Sequence, residues 1–185
     1  MREGGSFFFL PRPVPSYFPL VFNMLKRVMK MKKGVIPFLV FPAISLLVGS
    51  LSALLTGENM MIYQTVAKPA LAPPAVLFPI VWTALYLLMG VGAALVYNAR
   101  GEFRTIGLWL FAAQLAVNFF WSILFFNLRA FLFAFVWLIL LWVLAAAMSV
   151  AFFKTRRVAG LLQIPYLLWL TFAAYLNFSV YILNA

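Results

Sequence analysis

Residues 67–98 read AKPALAPPAVLFPIVWTALYLLMGVGAALVYN. Four prolines fall between Pro69 and Pro79, and from there to Asn98 the chain carries no further proline and no charge. A helix that crosses the hydrocarbon of a bilayer needs about 20 mostly apolar residues. Proline is tolerated in the first turn of such a helix, where its missing N–H would have no partner anyway. The stretch therefore reads as a stiff connection that feeds a membrane-spanning helix, with Pro79 at its N-terminal end.

The rest of the chain agrees. Of its 185 residues, 66% are hydrophobic and only 9% are charged. Soluble domains carry about 25% charged residues, so too little polar surface exists here to coat a water-soluble globule. The fold class expected is an all-α integral membrane bundle of five transmembrane helices. The spans are expected at about 35–55, 77–98, 105–126, 131–153 and 158–183, within a domain 34–185. The short hinges at 99–104, 127–130 and 154–157 make neighbouring helices antiparallel, and only the connection 56–76 is long. Residues 1–33 carry a proline-rich stretch and then a basic one. They are expected to be a disordered or mis-started extension, with Met24 and Met31 as alternative starts, and they lack the small-residue cleavage pattern of a signal peptide.

Charge sets an orientation. Of the 14 basic residues, all but Lys68 and Arg129 fall on one side if the N-terminus is inside. The positive-inside rule then gives N-inside and C-outside, with loop 56–76 on the outer side. In a prokaryote that membrane would be the cell membrane. The net charge of +11 flanks apolar runs, so it points to a lipid bilayer and not to nucleic acid. The chain has no Cys and no His, and its three acids are Glu3, Glu58 and Glu102, none of them inside a span. That argues against disulfides, metal sites, and ordinary acid–base or carboxylate-relay chemistry. Missing intramembrane charges and internal repeats also argue against an ion-coupled transporter.

Three spans carry a stripe at helical spacing. These are Trp82, Tyr86, Met89, Gly90, Ala93 and Tyr97 in the second; Gln114, Asn118, Trp121, Ser122 and Phe125 in the third; and Tyr166, Trp169, Ala173, Asn177 and Tyr181 in the fifth. Each set falls on one face of its helix. Amides in hydrocarbon need partners, so the stripes should face the bundle interior. Taken singly, each amide reads as interhelical glue worth about 0.6 kcal/mol. Taken together, flat indole and phenol faces with a few amides suit a flat, mostly apolar ligand with sparse polar edges. Trp109 is expected on the opposite, lipid-facing side of the third span, and Trp137 and Trp142 are left open between lipid and partner contact. Ala112 with Ala116, and Ala145 to Ala147, offer close-packing faces within the bundle or across a dimer. The proline-stiffened loop is expected to cover the mouth of the pocket, and Pro165 to loosen the fifth span before Trp169.

The arrangement Tyr63…AKPALAPP…FPIVWTALYLLMG, then QLAVNFFWSILFF, then IPYLLWLTFAAYLNFSVYILN, resembles the tryptophan-rich sensory protein family, also called translocator protein or peripheral-type benzodiazepine receptor. The resemblance covers about residues 35–185. It implies a five-helix membrane bundle, often a homodimer, whose first loop closes a pocket for tetrapyrroles such as protoporphyrin and haem. Porphyrin would be a ligand, with no obligatory cofactor. Relatives also take sterols and benzodiazepine-site ligands, and some promote light-dependent porphyrin breakdown. Carried over by motif, the ligand-binding positions are Tyr63, Trp82, Asn118, Trp121, Ser122, Trp169 and Ala173. The stripes add Tyr86 and Asn177. Leu71 stands where the loop motif usually has Trp, and Trp137 where relatives often carry an acid.

The first functional expectation is a membrane receptor, sensor or carrier for tetrapyrroles. The macrocycle would stack on Trp82, Trp121 or Trp169, with Asn118 and Ser122 at its edges and Lys68 and Arg129 as partners for its propionates. The second is a porphyrin-degrading photo-enzyme with Trp82 and Trp121 as the reactive indoles. The third is a small multi-pass transporter or channel for another apolar ligand.

Overall fold

A computed structural model describes the backbone of residues 18–57 and 65–185, and the side chains of 34–57 and 65–185. The chain divides into two units, Met1–Val35 and Ile36–Ala185. The second unit holds the bundle and is described below. Tyr63 and residues 1–17 lie outside the described residues.

Helix α1 spans Phe18–Thr56, α2 Leu77–Asn98, and α3 Arg104–Ser122, which runs on through a π-helical turn at Ile123–Asn127. Helix α4 spans Phe131–Thr155, the short α5 Arg157–Leu161, and α6 Ile164–Leu183. Five segments are long and apolar enough to cross a membrane: Gly34–Thr56, Leu77–Asn98, Arg104–Asn127, Phe131–Thr155 and Arg157–Leu183. Each expected span finds its counterpart. Residues 18–33, within the extension expected to be disordered or mis-started, are helical. The proline cluster ends at Pro19, which a first helical turn tolerates, and no other proline interrupts before Pro37.

The helices are shaped by three local devices. Pro79 sits in the first turn of α2, behind turns closed by Leu77 N–H to the Pro74 carbonyl (3.0 Å) and Phe78 N–H to the Ala75 carbonyl (3.2 Å). Pro165 divides the last span: it has no N–H and its ring clashes with the carbonyl four residues back, so α6 begins afresh at Ile164. At that break the Gln163 N–H turns to the Gly160 carbonyl (3.0 Å), and its side-chain Nε2 donates to the Ala159 carbonyl instead (3.0 Å). The third device ends α3. Leu128 N–H reaches back to the Ile123 carbonyl (3.0 Å), one residue further than in an α-helix, and Arg129 takes a left-handed φ of 52°.

Helix α4 packs against α3 and α6 through Ala134, Leu138, Leu141, Ala145, Met148 and Phe152, all fully buried. Its other faces are apolar and exposed, as expected of a helix facing lipid. Trp109 faces outward at 71% exposure, as expected of a lipid-facing residue. Trp137 instead turns to α3, where its Nε1 donates to the Val117 carbonyl (2.8 Å). Trp142 donates to the Thr171 hydroxyl of α6 (3.0 Å). Of the small-residue faces, Ala145 is buried inside the bundle, whereas Ala112 and Ala116 point outward.

Candidate functional site

The stripe residues converge. Tyr86 Oη donates to Asn118 Oδ1 (3.3 Å), Asn118 Nδ2 to Tyr166 Oη (3.1 Å), and Tyr166 Oη to Gln114 Oε1 (2.8 Å). Gln114 Nε2 then approaches Met89 Sδ (3.5 Å). This chain joins α2, α3 and α6 at mid-bundle, where every member is buried. Such groups are costly in hydrocarbon unless paired, and pairing here is successive and mutual. Gly49 of α1 permits it, since a Cβ there would overlap the Tyr86 ring.

On the loop side of this polar belt the helices enclose a cavity of about 330 Å³. That is within the range of small-molecule sites. Its deep end is Tyr86 and Asn118. Helix α1 contributes Gly49, Ser52, Ala53 and Thr56; α2 contributes Phe78, Pro79 and Trp82; α3 and its π turn contribute Trp121, Ser122, Phe125 and Phe126. Helix α6 adds Ala173, Leu176, Asn177 and Val180, and the loop adds Ala75. None of these lining residues is charged.

The aromatics give the wall its shape. Trp82 lies 5.5 Å from the Tyr86 ring and meets Tyr166 edge-on at 6.3 Å. Trp121 stacks on Phe125 at 5.5 Å. Two buried polar atoms of lining residues, Trp121 Nε1 and Asn177 Oδ1, have no hydrogen-bond partner among the described residues. The Ser122 hydroxyl makes no hydrogen bond with the described residues either.

Seven expected site residues thus line one cavity: Trp82, Tyr86, Asn118, Trp121, Ser122, Ala173 and Asn177. The structure sets three groups of expected residues differently. Trp169 does not line the cavity. It sits about 40° round α6 from Ala173 and packs edge-on against Phe78 (5.9 Å), which is itself part of the wall. Lys68 and Arg129, expected as propionate partners near the loop, are exposed and belong to connections outside the helical wall. Asn118 spends its amide largely on Tyr86 and Tyr166, which leaves little of it for a ligand edge. The lining residues not anticipated include those of α1, with Ala75, Phe78, Leu176 and Val180. Gly49, Ser52, Ala53 and Thr56 recur at helical spacing, a small-residue stripe that was visible in the sequence. Phe126, four residues after Ser122, lies in the π turn and joins the same wall.

Residues 40–183 of the chain match the TspO/MBR family. The chain belongs to that family. It is 40% identical over 124 residues to the tryptophan-rich protein TspO of Chlorobaculum tepidum, covering 66% of this chain and 78% of that one. It is equally similar, 40% over 124 residues, to the protein CrtK of Rhodobacter capsulatus, with 66% and 78% covered. The Homo sapiens translocator protein is 36% identical over 147 residues, covering 78% of this chain and 86% of its own. This TspO/MBR-family chain is accordingly an integral, multi-pass membrane protein whose partner is the lipid bilayer.

Proposed function

We propose that this protein is a membrane receptor or carrier that binds a tetrapyrrole, protoporphyrin or haem, in the cavity beneath residues 75–79. One observation supports this most: an uncharged wall of Trp82, Tyr86, Trp121, Phe125 and Phe126, with Trp121 Nε1 and Asn177 Oδ1 beside it and unpaired among the described residues. Flat aromatic faces favour a flat apolar ligand, and the two unpaired atoms supply one donor and one acceptor for its edge. Because the wall carries no charge, the propionates of the macrocycle would stay at the mouth, toward water. The names tryptophan-rich sensory protein and translocator protein among the relatives agree with a sensing or carrying role. Trp82 and Trp121 are the two indoles on the wall, so they are the residues to substitute in a test of light-dependent porphyrin breakdown.

Charge supports an orientation with that loop and the C-terminus outside: Arg100, Arg104, Lys154, Arg156 and Arg157 lie at the end opposite loop 65–76. A second copy would pack most readily on the outward Ala112–Ala116 face, where backbones approach closely.

The test is a titration of purified protein with protoporphyrin in the dark, read by tryptophan fluorescence. Saturable quenching is expected, weakened strongly by Trp82→Phe and only slightly by Trp169→Phe. Absence of saturable quenching in a folded sample would overturn the tetrapyrrole reading and favour transport of another apolar ligand.

A further inference from the structure

The segment that precedes α2 is stiff along its length. Pro69, Pro73 and Pro74 fix its φ angles, and the Ala72 N–H closes a turn on the Pro69 carbonyl (2.9 Å). Its far end carries Ala75, Phe78 and Pro79, which line the cavity. Its near end is tied by a residue from the other end of the bundle domain. The Ala67 N–H donates to Asn184 Oδ1 (3.0 Å), and Asn184 Nδ2 donates back to the Ala67 carbonyl (3.0 Å). The same Nδ2 donates to the Val180 carbonyl (2.8 Å), and Val180 is a lining residue. One side-chain amide thus pairs with both backbone groups of a loop residue, as a neighbouring strand would, while holding the last turn of α6.

These bonds differ in kind from the buried Tyr86–Asn118–Tyr166–Gln114 chain. Both bonds to Ala67 are exposed, so water can take them over at small cost. A tie of this strength favours the closed arrangement and still lets it open.

We propose that Asn184 is a latch: it holds residues 67–79 across the cavity and sets the rate at which the cavity exchanges its contents, without touching the ligand. The function of such a latch rests on the reading of the cavity as a ligand site, but its opening is measurable with no ligand present.

The chain contains no Cys, so Ser122→Cys introduces a single thiol into the cavity wall. Its reaction rate with a bulky maleimide is measured on the full chain in detergent, alone and combined with Asn184→Ala or Asn184→Asp. Asn184→Ala is expected to speed labelling about tenfold, which corresponds to ~1.4 kcal/mol. Asn184→Asp keeps the acceptor for the Ala67 N–H and loses the donors, so it should fall between. If Asn184→Ala proves misfolded by thermal melting, the Asn184→Asp rate decides. Equal rates in folded samples would overturn the latch. Protoporphyrin binding and release are followed in the Asn184 variants with Ser122 unchanged. Faster labelling with no porphyrin binding would leave the latch standing and sink the ligand reading. Saturable porphyrin binding with unchanged labelling and release would do the reverse.

Discussion

The two halves of this bundle are made of the same helices, yet one is filled and the other is hollow. On the side away from loop 65–76, glycines receive large neighbours. A Cβ at Gly92 would overlap Gln163 Nε2, one at Gly160 would crowd Phe153, and one at Gly107 would come within 3.1 Å of the Phe152 ring. On the loop side, Ala53 and Ala173 border the cavity, and the large aromatics stand around it. Small residues therefore have opposite effects in the two halves. Where a bulky side chain enters the gap, a glycine closes the packing; where none does, it leaves a cavity. The buried polar chain from Tyr86 to Gln114 lies between the two and holds the hollow half open by fixing α2, α3 and α6.

The sharpest way to break this comparison is to overfill the packed half. Gly92→Leu would displace Gln163 from the Ala159 carbonyl and is expected to cost about 3 kcal/mol, from strain plus an unpaired buried carbonyl. Unfolding of the detergent-solubilised protein measures it, and an unchanged midpoint would mean that half is not close-packed. Tyr166→Phe removes the hydroxyl that joins Asn118 to Gln114 and is expected to cost about 2 kcal/mol. A loss confined to a few tenths would reduce the chain to ordinary interhelical glue.

The hollow half should respond differently. Ala173→Leu fills cavity space without meeting a wall, so stability should move by less than about 1 kcal/mol. Protoporphyrin affinity should fall about tenfold or more, which is ~1.4 kcal/mol. A large loss of stability with intact binding would put the leucine somewhere other than the cavity. The smallest effect is expected from Lys68→Ala combined with Arg129→Ala. Neither residue lines the cavity, so affinity for protoporphyrin and for its neutral diester should each change by less than about twofold, ~0.4 kcal/mol. A selective loss for the diacid would restore these two cations as propionate partners.

Much of the fold was legible because its signals are local. A run such as 77–98 is apolar enough to enter a bilayer wherever it sits, and its proline belongs to a first turn. The stripe residues were legible for a related reason: an amide such as Asn118 must turn away from lipid, and its helical neighbours turn with it. Trp169 failed because a stripe gives direction only to within a sector. A turn of about 40° was enough to set it against Phe78 and not in the cavity. Lys68 and Arg129 lie on connections, so their position bears on the mouth of the cavity and not on its wall.

The sequence by itself determined the class, the five spans, the family and which helix faces look inward, since burial in lipid constrains each helix separately. Only the tertiary structure decided where the space lies. That depended on pairs of elements distant in sequence. A gap exists where Gly49 and Ala53 of α1 line the same space as Ala173 of α6. The π turn after Ser122 adds Phe125 and Phe126 to one wall. The Asn184 amide finds the Ala67 backbone 117 residues away. Each of these is a packing outcome, fixed by which surfaces meet and not by the composition of either.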